Sequence, residues 1–153
     1  DFSPSRMGQC LLDLSAGRLP ALLNGGFDWV DVRDVVAGIL GAEKLGKIGE
    51  NYILSGHWHS IRELADFAHE TTGTPPPWFT SPIWLARIGA PFSAWWNARQ
   101  GKHPLFTSES LDAVSSKHIV SHAKASAEWG YSPRPITDAI ADTISWFKET
   151  GRL

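Results

Sequence analysis

The stretch Asn24-Gly25-Gly26-Phe27-Asp28-Trp29-Val30-Asp31-Val32-Arg33-Asp34-Val35-Val36 constrains this chain more than any other. It opens on two glycines, which take φ > 0 without steric cost and so mark a turn. Phe27, Trp29 and Val30 form an aromatic and β-branched run that predicts a short strand. After Asp31 the period changes. Val32, Val35, Val36, Ile39 and Leu40 fall at helical spacing, which predicts a helix beginning between Asp31 and Asp34. Asp31 and Asp34 suit its N-terminus, as a cap and as charges matched to the helix dipole. A strand running directly into a helix points to an α/β chain.

The remaining pattern is mostly helical. Ser3 and Pro4 predict a cap and a first helical position, followed by Met7, Leu11 and Leu14 at helical spacing and a stop at Gly17. The helix that starts near Arg33 is expected to end at Glu43 or Lys44. Asn51 to Ser55, with Tyr52, Ile53 and Leu54, predicts a short buried strand. Ser60-Ile61-Arg62-Glu63 is a capping box, with Ile61, Leu64, Ala65 and Ala68 as the apolar stripe and Gly73 as the stop. Thr74-Pro75-Pro76-Pro77 is a stiff connector. Ile83 to Ile88 predicts a helix that Pro91 breaks and Phe92, Trp95 and Trp96 continue. This aromatic region suits core or interface packing better than a ligand wall. Ser108 to Val114 predicts a short helix, and Ile119 and Val120 a small strand. Lys124 to Trp129 predicts a helix ending at Gly130. Ile136, Ile140, Ile144 and Phe147 stripe the last helix, which Gly151 closes.

Composition narrows the function. A net charge of −2 argues against a nucleic-acid partner, and no run of 18 apolar residues suggests a membrane span. A single cysteine, Cys10, excludes an internal disulfide framework and fits a reducing compartment, so a cytoplasmic protein is expected. His57-Trp58-His59 offers two ligands, but zinc needs at least a third protein ligand, and no Cys pair or His-Glu motif supplies one. No metal is expected, and this segment reads as a loop before a helix. Arg33 reads as an ion-pair partner, and Arg99 to Pro104 as a solvated basic loop.

Three groups of residues carry a family resemblance. Phe27-Asp28-Trp29-Val30-Asp31-Val32-Arg33-Asp34-Val35-Val36-Ala37-Gly38 resembles the downstream signature of extended and atypical short-chain dehydrogenase/reductases. The branches it is most similar to are dihydroflavonol-4-reductase-like and NAD-dependent epimerase/dehydratase proteins, including the hopanoid-associated sugar-epimerase-like ones. Gly49-Glu50-Asn51-Tyr52-Ile53-Leu54-Ser55-Gly56 follows in the order of that family. So do Trp129-Gly130-Tyr131-Ser132-Pro133-Arg134-Pro135 and Ser145-Trp146-Phe147. The family's Gly-rich phosphate turn and Tyr-x-x-x-Lys pair are not in this sequence: Tyr52 is followed at the fourth position by Gly56, and Tyr131 by Pro135. At Ser121-His122-Ala123-Lys124-Ala125 the family's Asp or Asn is also missing.

The resemblance implies the helix-rich C-terminal portion of an extended Rossmann-type reductase, with two or three short strands. Residues 1–153 would be the substrate-binding portion, residues 30–56 would return to the cofactor-binding lobe, and the dinucleotide-binding domain would lie outside this chain. It implies NAD(P) in the intact protein, with no tight binding to this chain alone and no catalytic residue within it. Ser5 would approach the nicotinamide end of the cofactor. Met7, Asp28 and Trp29 would face a small-molecule substrate. The absence of an Arg between Leu19 and Trp29 weakens a nucleotide-sugar substrate relative to a reductase substrate. Two alternatives remain open: a nucleotide-sugar epimerase or dehydratase fragment, and a non-catalytic binding module. The partner of the orphaned strand would be the N-terminal half or a second copy.

Overall fold

In the computed structural model, which describes residues 4–85, 114 and 120–153, the period change at Asp31 is a real junction. Strand β2 (Gly26–Trp29) ends two residues before helix α2 (Val32–Leu45). Before them lie helix α1 (Arg6–Ser15) and strand β1 (Leu22–Leu23). After them come strand β3 (His57–Ser60), helix α3 (Ile61–Thr72), strand β4 (Thr80–Ser81), helix α4 (Ala123–Trp129) and helix α5 (Ile136–Glu149). The mixed α/β character expected from the sequence is what the chain adopts.

Most helix limits follow from local chemistry. Asp31 caps α2 by accepting from the Arg33 amide at 2.8 Å. Ser60 and Glu63 form the expected capping box on α3, and Gly73 ends that helix at φ 75°. Helix α1 differs from expectation. Its cap is Ser5, whose Oγ accepts from the Gly8 amide at 3.1 Å, so Pro4 precedes the helix rather than opening it.

The strands need two corrections. Asn51 to Ser55 does not form a strand, because no strand among the described residues lies beside it to complete a ladder. His57-Trp58-His59, expected as a loop, is β3. It pairs antiparallel with β2, in the register Gly26 with Ser60, Phe27 with His59, Asp28 with Trp58 and Trp29 with His57. The two-residue strands β1 and β4 pair in parallel, Leu22 with Thr80 and Leu23 with Ser81, and neither was expected. The predicted aromatic helix around 83–96, the basic loop at 99–104, the helix at 108–114 and the strand at 119–120 lie wholly or largely outside the described residues.

Helix α3 is the shared wall of the core. Its Ile61 and Ala65 pack with Leu14, Leu22, Leu23 and Val114. Its Leu64 and Ala68 pack with Ile136, Ile140 and Ile144 of α5. Ile144 and Phe147 are almost completely shielded from solvent. Burial of side chains of this size stabilises a fold by roughly 1.5–3 kcal/mol each.

Helix α2 behaves differently. Its inner face is made of Asp34, Gly38 and Gly41. A Cβ on Gly38 would lie 2.7 Å from Leu54, and one on Gly41 would lie 2.7 Å from the Trp129 indole. The helix therefore rests directly against Leu54, Tyr131 and Trp129. Its aliphatic residues point the other way: Val32, Val36, Ile39 and Leu40 are each at least half exposed.

Charge ties the start of α2 to the C-terminal corner. Arg134 donates from its amide and its Nε to Asp34, at 2.9 and 3.2 Å. Arg33 bridges Asp31 and Asp142 at 2.7 and 2.6 Å. These bonds from Arg33 hold the Asp31 carboxyl below the usual carboxylate range, and they raise the Arg33 guanidinium above its own. At the other end of α2, Tyr52 and Lys47 both donate to Glu128, and Lys124 pairs with Glu50. Glu128 and Glu50 are lowered by these bonds, and Glu63 by its bonds to Ser60.

Two predictions follow from this packing. A Cβ on Gly56 would lie 1.7 Å from the Trp29 carbonyl oxygen, a backbone atom that cannot swing aside. Gly56→Ala should therefore destabilise the chain by more than about 2 kcal/mol, read as a lower urea midpoint; an unchanged midpoint would refute the close approach. The second concerns pH. A carboxylate whose folded pKa lies below its unfolded one contributes stability above the unfolded value and loses it as the pH falls. Asp31, Glu50, Glu63 and Glu128 all shift in that direction. The urea midpoint should be level near neutrality and should fall below about pH 4.5. A midpoint that held to pH 3 would show that these pairs contribute nothing.

Candidate functional site

Alternation along β2 sorts its side chains. Residues i and i+2 of a strand share a face, and residue i+1 takes the other. Phe27 and Trp29 share one face, where their rings meet edge-on at 5.7 Å. Asp28 takes the opposite face, where its Oδ1 accepts from the Gly56 amide at 2.7 Å. Its Oδ2 is buried without a hydrogen-bond partner.

The Phe27 and Trp29 face borders a cavity of about 960 Å³. It runs between α1, β1, β2, α3 and α5. Its walls are apolar for most of their extent: Leu11 and Leu14 from α1, Leu22 and Leu23 from β1, Leu64 from α3, Ile136 and Ile140 from α5. Pockets that bury drug-sized ligands are typically about 300–1,000 Å³ and predominantly apolar, with a few placed polar groups. This cavity is at the upper end of that range. Ser5 and Met7 reach it from the first turns of α1, and Asp31, Arg33 and Asp142 contribute charged groups.

Three of the four residues singled out by sequence thus come together. Ser5, Met7 and Trp29 line one cavity; Asp28 does not. The pleat sends neighbouring side chains to opposite faces, so Asp28 lies on the face away from Trp29. Ser5 uses its oxygen to accept from Gly8, and its hydroxyl proton remains able to donate, so it fits a contact to a carboxamide such as that of nicotinamide. The glycine-rich turn that cradles dinucleotide phosphates is not in this sequence. Cys10 also faces the cavity. Burial, then the nearby Asp13, pushes its thiol pKa up, which favours the neutral thiol.

Sequence reasoning missed Asp142 and Trp146, both on α5 and both at the cavity. The signal was available. Asp142 and Trp146 are four apart, as are Ala139 and Thr143 beside them, and all four lie next to the buried stripe of α5.

Neither tyrosine of the chain reaches the cavity. Tyr131 donates to the Ser55 carbonyl at 3.2 Å, and burial raises its pKa, with Asp34 and Asp28 adding to the shift. Tyr52 donates to Glu128 at 2.6 Å. Among the described residues, no group of His, Cys, Asp and Glu could hold a metal ion, and no helix is long and apolar enough to cross a membrane.

No family profile matches the chain. It is 32% identical to sterol demethylase protein B of Methylococcus capsulatus, over all of this chain and 47% of that protein. It is 30% identical to a Synechocystis protein named "Putative dihydroflavonol 4-reductase", over 99% of this chain and 45% of that protein. Among solved structures, gox2253 superposes with a TM-score of 0.79 at 35% identity, over 98% of this chain and 46% of that one. The Bordetella bronchiseptica enzyme WbmF, solved in complex with NADH, gives 0.64 at 25% identity, over 95% and 37%. The chain spans about half the length of the curated relatives it matches. With the Phe27 to Gly38 signature and this ordered likeness, the chain is similar to the C-terminal part of extended short-chain dehydrogenase/reductases of the dihydroflavonol-reductase and epimerase type.

Proposed function

We propose that this chain is the substrate-binding part of an NAD(P)-dependent oxidoreductase acting on a carbonyl or hydroxyl of a small organic substrate. One observation carries the reading. The apolar cavity is lined by Ser5, Met7 and Trp29, three of the four residues that the family resemblance assigns to the cofactor and substrate cleft. In such an enzyme hydride chemistry belongs to the nicotinamide, and the protein places the substrate against it. This chain would supply the wall that fixes the substrate, with Trp29 as its rigid aromatic surface. The indole is held by its N–H bond to the His59 carbonyl at 3.2 Å.

The dinucleotide-binding half is the partner this reading requires. The exposed aliphatic face of α2 and the extended segment 51–55 are the surfaces suited to it. Val32, Val36, Ile39, Leu40 and Ile53 are all at least half exposed, and an extended backbone without a ladder is a template for another strand. Reductase is favoured over nucleotide-sugar epimerase because no cationic side chain lies between Leu19 and Trp29.

The test is a chimera in which this chain replaces the matching part of the Methylococcus relative. We expect oxidation of NADPH or NADH that depends on a dihydroflavonol such as taxifolin. Trp29→Ala should lower kcat/KM about tenfold or more through loss of the wall. The chain alone should show no saturable NADPH binding. A folded chimera that binds cofactor and turns over no carbonyl substrate would refute the oxidoreductase reading.

A further inference from the structure

Helix α1 borders the cavity along its length. Ser5, Met7, Cys10, Leu11 and Leu14 all line the space. Ser5 and Met7 are exposed, Cys10 and Leu11 are half-buried, and Leu14 is buried. Solvent therefore reaches the cavity at the Met7 end of the helix. Val32, Arg33 and Asp142 also border it and are each at least half exposed. The charges there are already engaged with one another. Arg33 binds Asp31 and Asp142, and Arg134 binds Asp34 while standing 3.9 Å from Asp31 and 3.8 Å from Asp142. Met7, 41% exposed, brings a thioether to this rim.

A thioether in contact with water can take one oxygen from a peroxide. The O–O bond breaks, the sulfur is oxidised to a sulfoxide, and the peroxide is reduced to water. No proton has to leave the sulfur first, so access decides the reaction. Cys10, one turn further along α1, differs on both counts. It is half-buried, and a thiol reacts as its thiolate, whereas burial and Asp13 favour the neutral form. Oxidation changes the polarity of Met7 more than its size. The thioether is apolar and polarizable, and the sulfoxide oxygen is a strong acceptor. An apolar ligand entering past it must displace bound water and offers no donor in return.

We infer that Met7 is a peroxide-sensitive modification site at the mouth of the cavity, and that its conversion to the sulfoxide lowers the cavity's affinity for apolar molecules. The inference rests on the oxidoreductase reading only where the molecule held is called a substrate. Met7 lies outside both buried clusters of the core, so the modification leaves the fold intact. The chain contains one methionine, so sulfoxide formation is assigned to a single position.

Binding is read with N-phenyl-1-naphthylamine, an uncharged probe that brightens in apolar surroundings. The full 153-residue chain is titrated before and after treatment with hydrogen peroxide, with peptide mass mapping at each stage. One oxygen should appear on Met7 while Cys10 can still be alkylated. The probe should then bind about tenfold or more weaker, at an unchanged urea midpoint. The two methionine sulfoxide reductases, with dithiothreitol as reductant, should restore binding. Met7→Leu should hold the probe within about twofold of the untreated chain and keep that affinity through peroxide. Met7→Gln, polar without oxidation, should bind as weakly as the oxidised chain. Several results would each overturn the inference: oxygen on Cys10 ahead of Met7, tight binding by the oxidised chain or by Met7→Gln, an equal loss in peroxide-treated Met7→Leu, a loss accompanied by a lowered urea midpoint, or no saturable probe binding. The titration uses no cofactor, so its failure is distinct from that of an inactive chimera. Oxidation-sensitive probe binding beside an inactive chimera would sustain this inference and remove the oxidoreductase reading.

Discussion

The pleat of β2 is the constraint from which the rest of the arrangement follows. Pairing with β3 fixes the register, and the register fixes which face each side chain takes. Phe27 and Trp29 go to the cavity. Asp28 goes to Gly56, whose closeness to the Trp29 carbonyl leaves no room for a side chain. The same strand delivers Asp31 to the start of α2, where one carboxylate caps the helix and binds Arg33. A shift of one residue would place Asp28 against the apolar wall and the two aromatic rings against polar backbone. The cavity, the cap and the ion pairs therefore stand or fall with a single register.

Helix α2 shows how one element can carry two unlike surfaces. Its glycine face accepts Trp129 and Tyr131 at contact distance, and Trp129 in turn stacks edge-on with Tyr52 at 4.5 Å. Lys124 lies 4.3 Å over the same Tyr52 ring and pairs with Glu50. Large aromatic residues supply the packing that small helix residues cannot. The opposite face repeats aliphatic residues at i, i+4, i+7 and i+8 and leaves them in water. Contiguous exposed apolar surface of this kind marks an interaction site more often than a free surface. It agrees with a chain that spans about half of its relatives.

Legibility from sequence followed the range of the interactions. Local signals were read correctly: the Ser60 and Glu63 capping box, the Asp31 cap, the glycine stops at Gly73 and Gly130, and the α5 stripe. Long-range pairing was not. His57-Trp58-His59 has no strand composition, and only the opposite strand makes it β3. Asn51 to Ser55 has that composition and lacks a neighbouring strand among the described residues. The helix α1 cap moved from Ser3 to Ser5 because two serines flank Pro4 and either could have served. At the site, Ser5, Met7 and Trp29 line one cavity and Asp28 lies on the other face of β2. A motif is linear, and it does not say which face a strand residue takes. Asp142 and Trp146 come to the cavity from far along the chain, through the docking of α5 on α3.

Reduction of a carbonyl needs a proton as well as a hydride, and a phenol can deliver one only if its O–H faces the substrate. Tyr131 is turned to the Ser55 carbonyl and raised in pKa by burial. Tyr52 is turned to Glu128. Cys10 faces the cavity, but burial holds it in the neutral thiol form. The titratable groups that do border the cavity, Asp31 and Asp142, are engaged with Arg33 and face a ligand as acceptors. Among the described residues, the cavity wall therefore presents a ligand with apolar surface and with the Asp31, Arg33 and Asp142 cluster, and with no phenol.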